Sequence, residues 1–353
     1  MLQRLRERID LTDVLMFLVG GLIVALVVVG SWTTLVEGKY NSRQWFDLIL
    51  FGVALGGIYA LIALGYTLVY GILRMINFAH SEVFMAGPFT AYFLADEIGR
   101  SGFLDENPVV GLLMIFILAM AISTVTAVLL ERIAYRPLRF APRLVPLITA
   151  IGASFFLQYF FKGLYGPNIK VYPEIAALTG YVQFGEFRIQ NIQILVIVAA
   201  ALMMFGLHLF IQNSRTGKAM RAVAEDKATA ALMGINVDRI IVITFTLGGA
   251  LAGAAGVLYA LMFKQVNFMM GFIPGIKAFT AAVLGGIGNV PGAMVGGLFL
   301  GIAESVGPSL FLDGLHIPAP YQLKDAIAFT LLVLVLIFRP SGILGEKLAQ
   351  KKA

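Results

Sequence analysis

The chain has 353 residues, of which 59% are hydrophobic and only 13% charged, with a mean hydropathy of +0.88. A soluble domain carries about 25% charged residues, so most of this surface faces lipid or other protein, which excludes soluble enzymes, disordered tails and nucleic-acid-binding modules. The net charge of +6 sits in loops between apolar runs, and the absence of cysteine excludes disulfides, iron–sulfur clusters and thiolate metal sites.

A membrane-crossing helix needs about 20 mostly apolar residues. Ten apolar segments follow one another at 14–36, 46–70, 78–95, 109–130, 144–165, 189–211, 240–263, 276–288, 289–307 and 323–338. The predicted fold class is all-α: a polytopic transmembrane helix bundle of ten spans, with eight as the alternative. The first segment follows Arg4, Arg6 and Arg8 but is long and lacks a small-x-small cleavage site before Glu37, so it reads as a retained anchor. The eighth is too short for a plain span and reads as a broken helix or as part of its neighbour. Placing the N-terminus inside puts 17 of the 26 basic residues on the cytoplasmic side. They include Arg143 and the basic loop 131–143, the loop 212–239, and Lys347, Lys351 and Lys352. Both termini are therefore expected in the cytoplasm. The whole chain, 1–353, reads as one transmembrane domain, with 1–45 as the anchor, 46–345 as the core and 212–239 as the longest cytoplasmic connection. The outer loop 166–188 is long enough for a short element of its own.

Within the spans, two ionisable residues stand out, Glu82 and Glu304. A charge at the bilayer centre costs on the order of 3 kcal/mol on insertion scales. Glu82 ends the run Asn77-Phe78-Ala79-His80-Ser81-Glu82, where Asn77 is a candidate N-cap and an acid in the first helical turn suits the helix dipole. A gating or pathway role for Asn77, His80 and Glu82 is the alternative. Glu304 precedes Gly307-Pro308 and is expected to snorkel to the outer interface. Glycines four apart, at Gly52/Gly56, Gly249/Gly253, Gly292/Gly296 and Gly297/Gly301, predict close helix packing in lipid. The run Gly285-Gly286-Ile287-Gly288-Asn289-Val290-Pro291-Gly292 cannot be an uninterrupted helix. Gly286 and Asn289 then border either a bare turn or a transport pathway.

Catalytic constellations are missing from the sequence. His80, His208 and His316 have no metal-ligand spacing, and Ser154 lacks the second glycine of a nucleophile elbow because Phe156 stands there. Gly217-Lys218 lacks the earlier glycine and the following Ser or Thr of a phosphate loop, so ATP is not bound by that route. The cytoplasmic segment 214–234 reads as a capped helix ended by Gly234, with Ala219, Ala222, Ala230 and Met233 on one face edged by Arg221 and Asp226. Such a small flat face suits a groove on another protein. An amphipathic helix on the membrane surface is the alternative.

Several stretches together resemble the permease subunits of branched-chain amino acid ABC transporters, of the LivH type. They are Gly65-Tyr66-Thr67-Leu68-Val69-Tyr70-Gly71 with Asn77-Phe78-Ala79-His80, then Glu131-Arg132-Ile133-Ala134-Tyr135-Arg136-Pro137-Leu138-Arg139, the stretch from Arg215 to Gly256, Gly285-Gly286-Ile287-Gly288-Asn289, and Arg339-Pro340-Ser341-Gly342. The resemblance covers about residues 46–345. It implies a multi-pass protein of the bacterial inner membrane that is not an enzyme and binds no cofactor, with ATP and magnesium held by partner subunits. The implied partners are a second homologous permease, two cytoplasmic ATP-binding subunits and a periplasmic substrate-binding protein. The implied cargo is leucine, isoleucine or valine; urea, a short amide or another amino acid is the alternative within the class, and an ion-coupled carrier outside it. The implied coupling helix falls on Ala219–Gly234, including Arg221, Ala222, Glu225, Asp226 and Ala230.

Overall fold

A computed structural model describes residues 11–139, 141–142 and 144–345. Arg4, Arg6, Arg8, Arg143, Lys347, Lys351 and Lys352, which bear on the orientation, lie outside the described residues. The long helices are α1 (Leu11–Glu37), α2 (Ser42–Leu73), α3 (His80–Arg100), α4 (Pro108–Leu130), α5 (Leu144–Tyr165) and α6 (Asn191–Asn213). Two short helices follow, α7 (Arg215–Glu225) and α8 (Lys227–Leu232), then α9 (Val237–Phe263), α10 (Phe272–Gly285), α11 (Val290–Gly307) and α12 (Lys324–Phe338). Eight of the described helices are long and apolar enough to cross a membrane, and the chain is a multi-pass all-α protein. The other two apolar segments are α3, which carries Glu82, Asp96 and Glu97, and α10, which has only 14 residues. α10 is a separate short helix and not a continuation of α11.

The glycine pairs are where the core closes. A Cβ at Gly52 or Gly56 would press on the α11 backbone at Ile302 and Leu298, and one at Gly297 or Gly301 would strike Ala60 and Gly56 on α2. Gly249 and Gly253 of α9 bring the same contact onto α4 at Ser123, Thr124, Ala119 and Met120. Lipid gives helices no hydrophobic reason to associate, so backbone-to-backbone van der Waals contact of this kind supplies the attraction. α2 and α9 lie at the centre of the bundle, whereas α1 and the last span, which includes α12, expose most of their apolar surface.

The loop 166–188 holds real structure. β1 (Lys170–Val171) pairs antiparallel with β4 (Gln265–Val266), and β2 (Tyr181–Phe184) forms a hairpin with β3 (Phe187–Gln190). On the opposite side, the basic loop after α4 is clamped onto the start of α9. Arg139 bonds both the buried Glu131 and Asp238, and Arg136 reaches Asp238 at 3.0 Å.

Candidate functional site

α3 and α10 both begin inside the bundle and not at its edge. A Cβ at Gly65 would collide with the His80 ring, and Gly65 lies about two turns before the end of α2. The segment 74–79 therefore turns back, and α3 starts about 12 Å inward of the end of α2. α10 starts at the same level, because Gly271 and Gly275 sit directly on Ser81. Only glycine leaves room for that contact. With 14 residues, α10 is about 21 Å long, shorter than the roughly 30 Å hydrocarbon core.

Asn77 does not cap α3. Residue 79 occupies that place, and Asn77 Oδ1 instead accepts a 2.5 Å hydrogen bond from the Tyr135 hydroxyl. This bond satisfies a buried phenol, which a solvent-facing cap could not do. His80 is buried edge-on to Tyr66, with ring centroids 4.9 Å apart. Glu82 does occupy the first turn of α3 and is fully buried. Its Oε1 accepts from Ser154 Oγ at 3.2 Å, Ser81 Oγ at 3.3 Å and Gln158 Nε2 at 3.4 Å. Its Oε2 has no hydrogen-bond partner among the described residues, and no cation pairs with Glu82 there. Ser154 lies midway along α5, which places the group near the middle of the bundle. In front of it is a cavity of about 160 Å³ lined by Ser81, Ser154, Tyr66, Phe78, Ile151, Phe155, Phe272 and Ile276.

Glu304 does not snorkel. It is 3% exposed, and Lys277 Nζ of α10 lies 2.6 Å from its Oε1 while the Tyr59 hydroxyl of α2 donates to Oε2 at 3.0 Å. Lys277 also reaches Asp325 of α12 at 2.6 Å. The reason is the stripe on which Glu304 stands. Gly297, Gly301 and Glu304 recur at helical spacing, so the face pressed onto α2 carries the acid inward. The network ties α2, α10, α11 and α12 together.

The glycine-rich break is present, with Gly286 and Gly288 at φ of 106° and 96°, a region that favours glycine. Asn289 caps α11 by accepting from Gly292 N at 2.9 Å. The segment after α12 fills the gap: Ile343 N and Leu344 N donate to Leu284 O and Gly285 O, and Asn289 Nδ2 donates to Leu344 O. A Cβ at Gly286 would touch Gly345. Gly286 and Asn289 thus face their own chain, away from the cavity.

The segment 214–234 is two helices and not one. Ser214 caps α7 through Gly217 N, then Asp226 adopts an extended backbone (φ −149°, ψ 111°) and caps α8 through Ala228 N and Thr229 N. Gly234, at φ 82°, ends the pair. The bend alters the expected face. Ala230 is buried against the bundle with Met220 and Val223, and Ala219 is half-buried. Arg221, Ala222, Glu225, Asp226 and Gly234 are exposed, and so are Leu232 and Met233, at 87% and 79%. The elbow is seated by Arg221 on Gln212 at 2.7 Å and by Arg74, whose guanidinium donates to Ala224 O at 2.8 Å. Partial burial, with Arg139 and Arg74 nearby, holds the Lys227 ammonium below the ordinary lysine range.

Sequence reasoning missed Ser81, Ser154, Gln158, Lys277 and Asp325. Signals for them exist. Ser154 and Gln158 are four apart in an otherwise apolar helix and so share a face, and Lys277 interrupts an apolar run.

Comparison with known proteins shows the family of the chain. The family described as branched-chain amino acid transport system, permease component, matches residues 48–336. The high-affinity branched-chain amino acid transport permease protein BraD of Pseudomonas aeruginosa is 47% identical over 313 residues, covering 87% of this chain and 98% of the relative. The corresponding LivH protein of Escherichia coli K12 is 43% identical over 318 residues, covering 88% and 98%. A probable LivH permease of Methanocaldococcus jannaschii is 26% identical over 291 residues, covering 81% and 88%.

Proposed function

Because the chain belongs to the branched-chain amino acid transport permease family, we propose that it is the membrane-spanning subunit of an ATP-driven importer for leucine, isoleucine and valine. A periplasmic binding protein delivers the cargo, and a second, homologous permease completes the route. Two cytoplasmic subunits bind ATP and magnesium, and this chain binds neither. Both termini and the α7–α8 elbow lie on the cytoplasmic side of a bacterial inner membrane. Nucleotide-driven closure of the two ATP-binding subunits pushes the elbow and biases the permease pair between outward-facing and inward-facing arrangements.

The observation that carries this reading is the elbow itself. It is held rigidly to the bundle through Met220, Val223, Ala230 and the Arg74 bond, yet it presents Ala222, Leu232 and Met233 outward. Two large apolar side chains at a protruding helix end, next to exposed Arg221 and Glu225, suit a groove on a protein partner. A lever must be stiff on one side and free on the other, and the elbow is both.

Leu232→Asp tests the proposal in vesicles carrying the whole transporter. The variant is expected to insert normally while ATP-driven leucine uptake falls about tenfold or more, with loss of ATPase stimulation by the loaded binding protein. Ala222→Trp, also at an exposed position, is expected to act in the same direction. Unchanged uptake and unchanged association with the ATP-binding subunits in both variants would overturn the coupling role. Uptake by this chain alone, driven by an ion gradient, would replace the importer with a carrier.

A further inference from the structure

Glu82 is a buried acid without a counter-ion. All three of its donors converge on Oε1, Oε2 has none among the described residues, and no lysine or arginine pairs with it there. The start of α3 and these three neutral donors favour the carboxylate, yet one of its oxygens is left without a donor among the described residues.

The wall of the cavity includes Ser81 and Ser154, whose hydroxyls lie within hydrogen-bonding distance of the Glu82 carboxylate. A carboxylate only accepts, so the hydroxyl proton of Ser154 points inward to Glu82 and that of Ser81 to Glu82 or to Phe78 O. Both hydroxyls then present lone pairs to the cavity, backed by a negative charge. With the Tyr66 hydroxyl as the one side-chain donor on the wall, acceptors predominate, which suits a cationic donor. The remaining walls are aromatic and aliphatic, and the volume of about 160 Å³ is well below that of a drug-sized site. No cationic side chain lines it. The first residue of α10, Phe272, does, so the positive end of that helix dipole borders the same space.

We propose that this cavity is a subsite for the cargo in transit, in which Ser81 and Ser154, backed by Glu82, take the α-ammonium group of an aliphatic amino acid. The aliphatic side chain lies against Ile151, Phe155 and Ile276, and the carboxylate is left toward the start of α10. The bound ammonium is the counter-ion that Glu82 lacks. Ile151 and Phe155 are 42% and 53% exposed on this chain alone. This open lateral face belongs to the route. The subsite rests on the transport reading above but can fail separately from it.

The test uses the complete purified transporter and a photoactivatable diazirine analogue of leucine, with the matching diazirine acid that lacks the amino group as control. Labelled residues are read by mass spectrometry. The leucine analogue is expected to label Ile151, Phe155 or Ile276, in competition with unlabelled leucine. In Glu82→Gln the labelling is expected to fall about tenfold or more, the loss that accompanies a charge-assisted hydrogen bond. The amine-free acid is expected to label at that lower level in both proteins. Equal labelling of wild type and Glu82→Gln, equal labelling by the two probes, or no label on this wall in wild type would each overturn the subsite. So would a label displaced by sodium ions and not by leucine, which would assign Glu82 to an inorganic cation. Should Glu82→Gln fail to assemble, Ser154→Ala decides: the amino-to-acid labelling ratio must drop about threefold, and an unchanged ratio overturns the proposal. Leucine uptake by the wild-type transporter with ATP is measured in parallel. Its absence would defeat the transport reading, whereas loss of labelling alone would defeat only the subsite.

Discussion

Glu82 and Glu304 are both carboxylates buried in the helix bundle, and their surroundings differ in almost every respect. Glu304 is matched on both oxygens, by Lys277 and by the Tyr59 hydroxyl, and Lys277 is matched again by Asp325. Glu82 has three neutral donors on one oxygen and none on the other. The first arrangement is closed, and its four helices are held in one relation. The second lies behind Ser81 and Ser154, which line a cavity at the level where two helices begin. Buried charge in a membrane protein can therefore serve as a fastener where the chain supplies the counter-charge. Where the chain leaves one out, it can serve as a binding group.

The contrast can be broken by mutation, and the largest effect is expected at the fastener. Lys277→Met removes the cation and strands Glu304, a loss of about 3–5 kcal/mol for a broken buried pair. Yield and thermal stability of the purified transporter should fall sharply, and Lys277→Met combined with Glu304→Gln should recover most of the loss. If the single and double variants are equally unstable, the pair is not the fastener. At the open site the sign reverses. Glu82→Gln keeps an acceptor for Ser81 and Ser154 while removing the uncompensated charge, so the melting temperature of the ligand-free transporter should hold or rise, by the equivalent of about 1–3 kcal/mol. A marked fall there would make the two acids alike and dissolve the distinction. The smallest effect belongs to Asp325, whose side chain is 42% exposed. Solvent screening limits an exposed pair to about 0.2–1 kcal/mol, so Asp325→Asn should lower stability only slightly in the same melting assay.

Part of the site is legible in the spacing of residues. Gly297, Gly301 and Glu304 fall on one helical stripe, so a reader who accepts the glycine contact has already turned Glu304 inward. The interfacial reading of Glu304 weighs its nearness to Gly307-Pro308 and overlooks that stripe. Ser154 and Gln158 likewise mark one face of α5. Their partner is not legible, because Glu82 lies over 70 residues away and meets them only when α3 starts within the bundle. The α7–α8 elbow shows the same division. Its caps at Ser214 and Gly234 are local and can be read from residue type, but the bend at Asp226 moves Ala230 inward and Leu232 outward. A single continuous helix would have kept Ala222 and Ala230 on one face.

The sequence alone determines the class of this protein: too few charges for water, apolar runs of membrane length, glycines at four-residue spacing and the motifs of a transport permease family. These are local or compositional properties, and hydrocarbon is a solvent that leaves the backbone few alternatives to helix. Only the tertiary structure decides which buried charges are balanced and which are not. Balance is a property of pairs, and the pairs Lys277–Glu304 and Glu82–Ser154 are made by helices distant in the chain whose depth and rotation are set by packing.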